Sequence, residues 1–412
     1  MAGPCVVAEE PEPPSLAQLL PLSSSEPTSA GNHDELPLGA LPILTPEPLL
    51  GLRGILNLGQ TCFMAAILQI MVHTPPLQRF FLADKHNRLK CAIERSQKIQ
   101  TTRAQKNACL ACEMQTVISE FFSGNHDPYS PHSFLHAIWC WSEHFANCEQ
   151  HDAHEFLLVL LAGIFDGVCG GGGSVPSPSL PSISTLQPNP NNGGLTVNAN
   201  CRDLKSIFYA ALRSEVVCKR CGGKSSKSEE CHDISLDIPA LNDGASVSLI
   251  SCLASFTQEE QLCAAERCWC STCGSLQDSS KRMSLQRLPN VLCIHLKRFK
   301  QSMDAQRQTS KLDTFVDFPL QALNMYPYTS AYIESATSLD SVLAAPPAAQ
   351  HLYDLFGVAV HHGTMQNGHY TSYIRRHAHW YNCDDANIST VDPSHVRLCK
   401  AYMLFYIRKK LC

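Results

Sequence analysis

No stretch of this sequence is long and apolar enough to cross a bilayer as a helix. The longest apolar run, FLLVLLAGIF at 156–165, falls well short of the roughly 20 residues that a spanning helix needs. The N-terminus, MAGPCVVAEEPEPP, lacks a basic start followed by an apolar core, so it offers no secretory signal. Charge of one sign is scarce as well. Only 17% of the residues are charged and the formal net charge is -5 over 412 residues, which argues against direct nucleic-acid or membrane binding. HLKRFK at 295–300 is the only compact basic patch in the body of the chain, too little for a zinc-ribbon nucleic-acid binder. No internal repeat is visible.

Cysteine is plentiful, with 21 residues. Without a secretory signal these thiols are expected to stay reduced, in cytosol or nucleus, and paired cysteines to bind metal before they form disulfides. Cys218-Lys-Arg-Cys221 and Cys270-Ser-Thr-Cys273 are two C-x-x-C pairs about fifty residues apart. Each pair can grip one tetrahedral ion from a turn, and together they supply four thiolates for zinc, with Cys268 near enough to substitute. His86, Cys91, Cys109 and Cys112 form a second, less regular set. The pattern alone leaves open a helix with two buried cysteines and an exposed histidine. Cys169 and Cys201 flank a Gly/Pro-rich break without partners at metal spacing and are assigned nothing.

Residues 1–50 carry ten of the 26 prolines and no sustained periodicity, and read as a disordered tail. A second break runs from Gly167 to Asn200, through GGGG, PSPSLPS and PNPNNGG, and reads as a surface insertion. A third, weaker break lies near 324–350. Between the first two, AAILQIMVH, CEMQTVISEFF, SFLHAIWCWSEHF and AHEFLLVLLAGIF place apolar residues at helical intervals. After 205, VSLISCL, VLCIHLKRF, FGVAVHH, HYTSYIRR and AYMLFYIRK read as strands. A helical N-terminal part followed by a strand-rich part is an α+β arrangement.

NLGQTCFMAAILQIMV at 57–72 sets Cys62 at the end of a short polar loop, where a helix begins. A thiol there faces unsatisfied N–H groups and the positive end of the helix dipole, both of which favour the nucleophilic thiolate. Asn57, in the same loop, could donate its amide to a developing oxyanion. A cysteine nucleophile needs a base and an orienting group. Far along the chain, His369 follows Gly368, which permits close approach, and Tyr370 continues a strand. Asp384 comes one strand-turn later, with Asp385 beside it as a second candidate orienter. The alternative is an inert buried thiol and surface histidines.

With these residues in place the chain resembles a ubiquitin-specific protease. GILNLGQTCFMAAILQ resembles the cysteine box GLxNLGNTCFMN, EQHDAHEFLLVLL the QQDAHEF segment, LPNVLCIHLKRF the LPxxLxxHLKRF strand, and NGHYTSYIR with WYNCDDANIS the histidine box. The resemblance covers roughly 52–408. It implies a papain-like core with a helical thumb (about 52–166), zinc-ribbon fingers (about 205–287) and a β-rich palm (about 288–410). It implies hydrolysis of the isopeptide bond at the C-terminal glycine of ubiquitin, with Cys62 as nucleophile, His369 as base, Asp384 as orienter and Asn57 as oxyanion donor. Asp152 and Glu155 would hold the ubiquitin tail by charge-assisted hydrogen bonds, and Tyr370 would border its channel. Both Cys/His sets would hold structural zinc.

HTPPLQRFFLADKH, the C-x-x-C at 109–112, HDISLDIP and HHGTMQNGHYTSYIRRH are most similar to the branch serving the SAGA coactivator. That branch implies histone substrates, adaptor subunits and the nucleus. Several features depart from the family. Gln60 stands where Asn is usual, and Ala65 where Asn is common. Of a further zinc site of the branch only Cys201 matches, so that site is expected to be absent, and the N-terminal ubiquitin-binding zinc finger of long members is not seen. A catalytically inactive ubiquitin-binding adaptor of the same fold is the alternative reading.

Overall fold

The computed structural model describes residues 50–91, 93–94, 108–147, 149–169, 199–239, 247–301, 309–337, 349–364 and 367–410. The tail at 1–49, nearly all of the Gly/Pro/Asn insertion and residues 338–348 of the break near 324–350 lie outside these residues.

The helices come first. They are α1 (Cys62–Val72), α2 (Pro75–Leu82), α3 (Leu110–Phe121), α4 (His132–Trp141), α5 (Ala153–Cys169) and α6 (Ala199–Phe208). Every residue of α1 is buried, and all but Gln69, whose Nε2 donates to Arg53 O at 2.7 Å, are apolar, as expected of a helix packed on all sides. On one side it meets the other helices. On the other it meets a sheet, where Gly357 lets Ile70 approach, since a Cβ there would sit 2.8 Å from the Ile70 side chain.

Beyond α6 the described chain builds two large sheets and three two-stranded ones. β1 (Ala210–Cys218) and β2 (Lys224–Cys231) form a long polar hairpin, and β3 (Ile234–Asp237) crosses into the second sheet. After α7 (Leu249–Phe256) come β4 (Glu260–Leu262), β5 (Cys268–Cys270), β6 (Ser275–Gln277) and β7 (Ser279–Arg287). β2-β1-β7-β4 is a four-stranded arm, and β5-β6 is a separate ribbon. The second sheet adds β8 (Val291–Lys297), β9 (Leu352–Gly363), β10 (Gly368–Arg376), β11 (His379–Asp384), β12 (Asn387–Val391) and β13 (Ala401–Arg408). Its order is β12-β11-β10-β9-β13-β8-β3, with a short strand, Leu323–Asn324, beside β9.

This sheet is covered on both faces. Along β8, Val291 and Cys293 join the core around α1, whereas Leu292, Ile294 and Leu296 join a second core behind it. Alternate side chains of a strand point to opposite faces, and a sheet buried on both reads as a continuous apolar run. VLCIHL and AYMLFYI are therefore strands despite their lack of alternation.

Two expectations are corrected. VSLISCL is mostly helix: only Val247–Ser248 is strand, and α7 follows. Ser248 and Ser251 form a reciprocal capping box, and Leu249, Cys252 and Leu253 supply a buried helical face. Cys169 and Cys201 are not unpaired thiols. They form a disulfide with a Cα–Cα separation of 5.0 Å, within the bridging range. The ends of α5 and α6 bring them together across an insertion whose length gave no spacing signal.

Burial also creates a pH liability. It pushes the His232 imidazole down to about 4 and that of His295 down to about 3. Protons thus bind the unfolded chain better. The stability these rings contribute is complete above about pH 6.5 and is lost as pH falls towards those values. Each is expected to remove roughly 1–2 kcal/mol by pH 5. Urea melts at pH 7 and pH 5 check this, and a His232→Gln variant should lose less on acidification than the native chain.

Candidate active site

The loop before α1 is organised by its own side chains. Asn57 Oδ1 accepts from the N–H groups of Gly59 (3.0 Å) and Thr61 (3.1 Å) and from the Thr61 hydroxyl (3.2 Å), while the Leu58 N–H donates to Thr61 Oγ1 at 2.9 Å. Gly59 and Gln60 both take positive φ, +100° and +58°, which reverses the chain so that Cys62 opens α1.

His369 lies on β10 opposite His362 of β9. Gly368, just before it, admits no side chain, because a Cβ would fall 2.0 Å from His361 Nε2. His369 Nε2 and Asp384 Oδ1 are 2.7 Å apart. The turn that follows Asp384 docks on the nucleophile loop through backbone atoms. The Ile55 N–H donates to Asp385 O at 2.8 Å, and Gly54 lies so close to Ala386 that a Cβ would sit 2.0 Å from its carbonyl oxygen. The Tyr370 backbone amide, one residue after His369, lies near enough to the Cys62 sulfur to favour its thiolate. Residues more than 300 positions apart thus share one site.

The expected easy thiolate is corrected. Burial raises the Cys62 thiol, the Tyr370 N–H lowers it, and the nearby Asp385 charge raises it again. The amides of Phe63 and Cys62 at the helix start pull it down by less, so the net shift is upward. Desolvation outweighs the helix N-terminus here.

Other expected roles are refined. Asp385 does not hydrogen-bond His369; its Oδ2 accepts from Asn57 Nδ2 at 3.0 Å. An amide nitrogen carries two hydrogens, so the second Asn57 N–H has no protein acceptor among the described residues. Asp152 is not simply a free surface charge. Its Oδ1 caps α5 by accepting from the N–H groups of His154 (2.7 Å) and Glu155 (3.1 Å), and its Oδ2 accepts from the Tyr402 hydroxyl. Glu155 is exposed, 3.4 Å from His144 Nε2. The Tyr370 ring is buried against those of His361 (4.6 Å) and Tyr402 (5.9 Å). Gln150 was not anticipated as a contact. Its side chain binds Gly368, and the only signal was its place in EQHDAHEF.

Both Cys/His sets converge. In each, the four ligand atoms lie within 4.8 Å of one another. His86 Nε2 is 3.1 Å from Cys112 Sγ and 3.5 Å from Cys109 Sγ. Cys218 and Cys273 sulfurs are 4.0 Å apart, and those of Cys221 and Cys270 are 3.6 Å apart. A tetrahedral zinc with ligands at about 2.0–2.3 Å requires edges of roughly 3.3–3.8 Å, so both sets fit the ion. The ribbon pairs are matching knuckles, with Gly222 and Gly274 at φ +68° and +64° and their N–H groups donating to Cys218 O (2.8 Å) and Cys270 O (2.9 Å). Cys268 stands outside the set. His154, Asp233 and His295 also cluster. Hydrogen bonds of 2.9 Å from His154 to Asp233, from the Ser235 hydroxyl to Asp233, and from His295 Nδ1 to Ser235 Oγ already occupy that group.

Residues 53–406 match the family described as ubiquitin carboxyl-terminal hydrolase. The chain is 36% identical over 392 residues to ubiquitin carboxyl-terminal hydrolase 22-B of Xenopus laevis, covering 89% of this chain and 68% of that one. It is 34% identical over 391 residues to human ubiquitin carboxyl-terminal hydrolase 27, covering 89% and 81%. A solved structure of the SAGA Ubp8/Sgf11/Sus1/Sgf73 DUB module bound to ubiquitin aldehyde is similar with a TM-score of 0.65 and 26% identity, over 88% of this chain and 70% of that one. The chain therefore belongs to the ubiquitin carboxyl-terminal hydrolase family, as a cysteine-type deubiquitinase on a papain-like α+β fold.

Proposed function

We propose that this chain cleaves ubiquitin from proteins with Cys62 as nucleophile, His369 as base and Asp384 as orienter. The observation that carries the reading is the hydrogen bond from His369 to Asp384, with His369 on a strand whose next backbone amide is near enough to favour the Cys62 thiolate. The buried thiol gives its proton to His369, and the sulfur bonds to the carbonyl carbon of ubiquitin's terminal glycine. The second Asn57 N–H and the free backbone amide at the start of α1 stabilise the oxyanion. His369 then hands its proton to the leaving lysine amine, the C–N bond breaks, and water releases ubiquitin from sulfur. Glu155 and Asp152, on the first turn of α5, hold the basic tail of ubiquitin, and Tyr370 backs the channel from the core.

Zinc in both sets is structural. It cross-links His86, Cys91, Cys109 and Cys112 in the thumb, and Cys218, Cys221, Cys270 and Cys273 at the finger tip. Similarity to the SAGA DUB module, whose solved form carries Sgf11, Sus1 and Sgf73, supports ubiquitinated histones as substrates, adaptor subunits of a SAGA-like module as partners, and the nucleus as the place of action.

Turnover of ubiquitin–aminocoumarin, with adaptors present, tests the reading. Labelling by a ubiquitin vinyl sulfone at Cys62, and loss of both signals in Cys62→Ser, are expected. Tight binding of ubiquitin without labelling or turnover would make the chain an inactive adaptor instead.

A further inference from the structure

We infer that Gln60 is a positioning residue that acts through Gln150, tying the loop that presents Cys62 to the strand that presents His369. The inference rests on the catalytic roles proposed above for those two residues.

The connection consists of two side-chain amides. Gln150 Nε2 donates to Gln60 Oε1 at 2.7 Å and to Gly368 O at 2.8 Å, and Gln150 Oε1 accepts from the Gly368 N–H at 2.9 Å. Both hydrogens of the Gln150 amide are used, and both backbone groups of Gly368 are held by one planar side chain. Gln150 therefore does for Gly368 what a neighbouring strand would do. Glycine has more backbone freedom than any other residue, and Gly368 directly precedes His369. Holding its N–H and its C=O together fixes the plane from which the imidazole projects towards Asp384.

Gln60 anchors that clamp from the other side. Its φ of +58° is uncommon for a residue with a side chain, and such a conformation persists where the surroundings enforce it. The enforcing groups are present: Asn57 Oδ1 binds the N–H groups on both sides, at Gly59 and Thr61. The base of the Gln60 side chain is thus set by the same turn that places Cys62 at the head of α1. An asparagine here would carry its amide one methylene nearer the backbone. Because both amides are neutral, the connection adds no charge beside a thiol that Asp385 already disfavours as thiolate.

Isosteric substitutions test the connection. Gln60→Met and Gln150→Met keep shape but remove the amides, while Gln60→Glu keeps an acceptor for Gln150 Nε2. With ubiquitin–aminocoumarin as substrate, Gln60→Met is expected to lower kcat roughly three- to tenfold and Gln150→Met about ten- to a hundredfold. KM and melting temperature should stay near native values. The double variant should be no slower than Gln150→Met alone, because the two act as one unit. Gln60→Glu should recover most of the lost kcat at the top of its pH profile. Native kcat in Gln60→Met, or a double variant that loses the product of the two single losses, would overturn the inference. A loss confined to melting temperature would reduce the bridge to a structural contact and overturn it equally. Native protein with no turnover above Cys62→Ser would remove the catalytic reading itself, which is a separate failure.

Discussion

Replacing His369 with alanine is expected to reduce turnover of a ubiquitin–aminocoumarin substrate by roughly three to four orders of magnitude at pH 7.5, with ubiquitin affinity unchanged. The size follows from the state of the thiol. Burial and the Asp385 charge raise Cys62 above the range of an ordinary cysteine, so the α1 N-terminus does not ionise it unaided. Without the imidazole the sulfur remains protonated, and the carboxylates do not replace the ring: Asp384 is bonded to His369, and Asp385 is engaged by Asn57. Asp384→Ala should lose about two to three orders of magnitude, because a ring that keeps its nitrogens but loses its orientation is a poorer base. Asp384→Asn should fall between that variant and the native chain, since an amide oxygen can still accept from His369 Nε2. The series is read by kcat at saturating substrate. A His369→Ala variant within tenfold of native would show that the proton leaves Cys62 by another route.

Loss of the thumb metal set is expected to have the largest effect on stability. His86, Cys91, Cys109 and Cys112 are all buried, and each belongs to a segment that packs on the core. Cys109 caps α3 and Cys112 lies in its first turn, while α5 presses so close that a Cβ on Gly167 would sit 2.7 Å from Cys109 Sγ. Binding energies of structural zinc reach about 10 kcal/mol or more, comparable with the whole stability of a domain. A Cys112→Ala chain, or native protein treated with a strong zinc chelator, should therefore lose helical circular dichroism and thiol reactivity at Cys62 together. Cys221→Ala is the contrast. Its ligand set sits on an exposed ribbon at the end of a polar arm, so it should unravel the tip and leave the helical part melting near its native temperature. The two variants are compared by thermal melts and by zinc content per chain, expected at two for the native protein. Equal melting temperatures for Cys112→Ala and native protein would remove the thumb set from the stability argument.

Local order was the legible part. The helix start at Cys62 follows from a polar turn before an apolar run, and the two C-x-x-C-Gly knuckles follow from residues within five positions of one another. The strands around His369 and Asp384 are likewise readable, because GHYTSYIRR and HWYNCD are short, aromatic-rich segments separated by a turn. The relation of Cys62 to His369 was legible only through the resemblance of whole boxes, since no periodicity connects positions 307 residues apart. VSLISCL was misread because a capping box of two serines and a buried helical face outweigh its strand-like composition.

The sequence by itself determined which side chains can carry thiol chemistry and zinc, because those capacities belong to residue types and to short spacings. Tertiary structure alone decided how each behaves. It raised the Cys62 thiol where the helix end predicted the reverse, brought the Tyr402 hydroxyl to Asp152, turned Asp385 towards Asn57, joined Cys169 to Cys201 and brought Gln150 to Gly368. Desolvation and charge act through space with a reach of a few ångströms. Such distances exist only once the helices and the sheet have closed around α1.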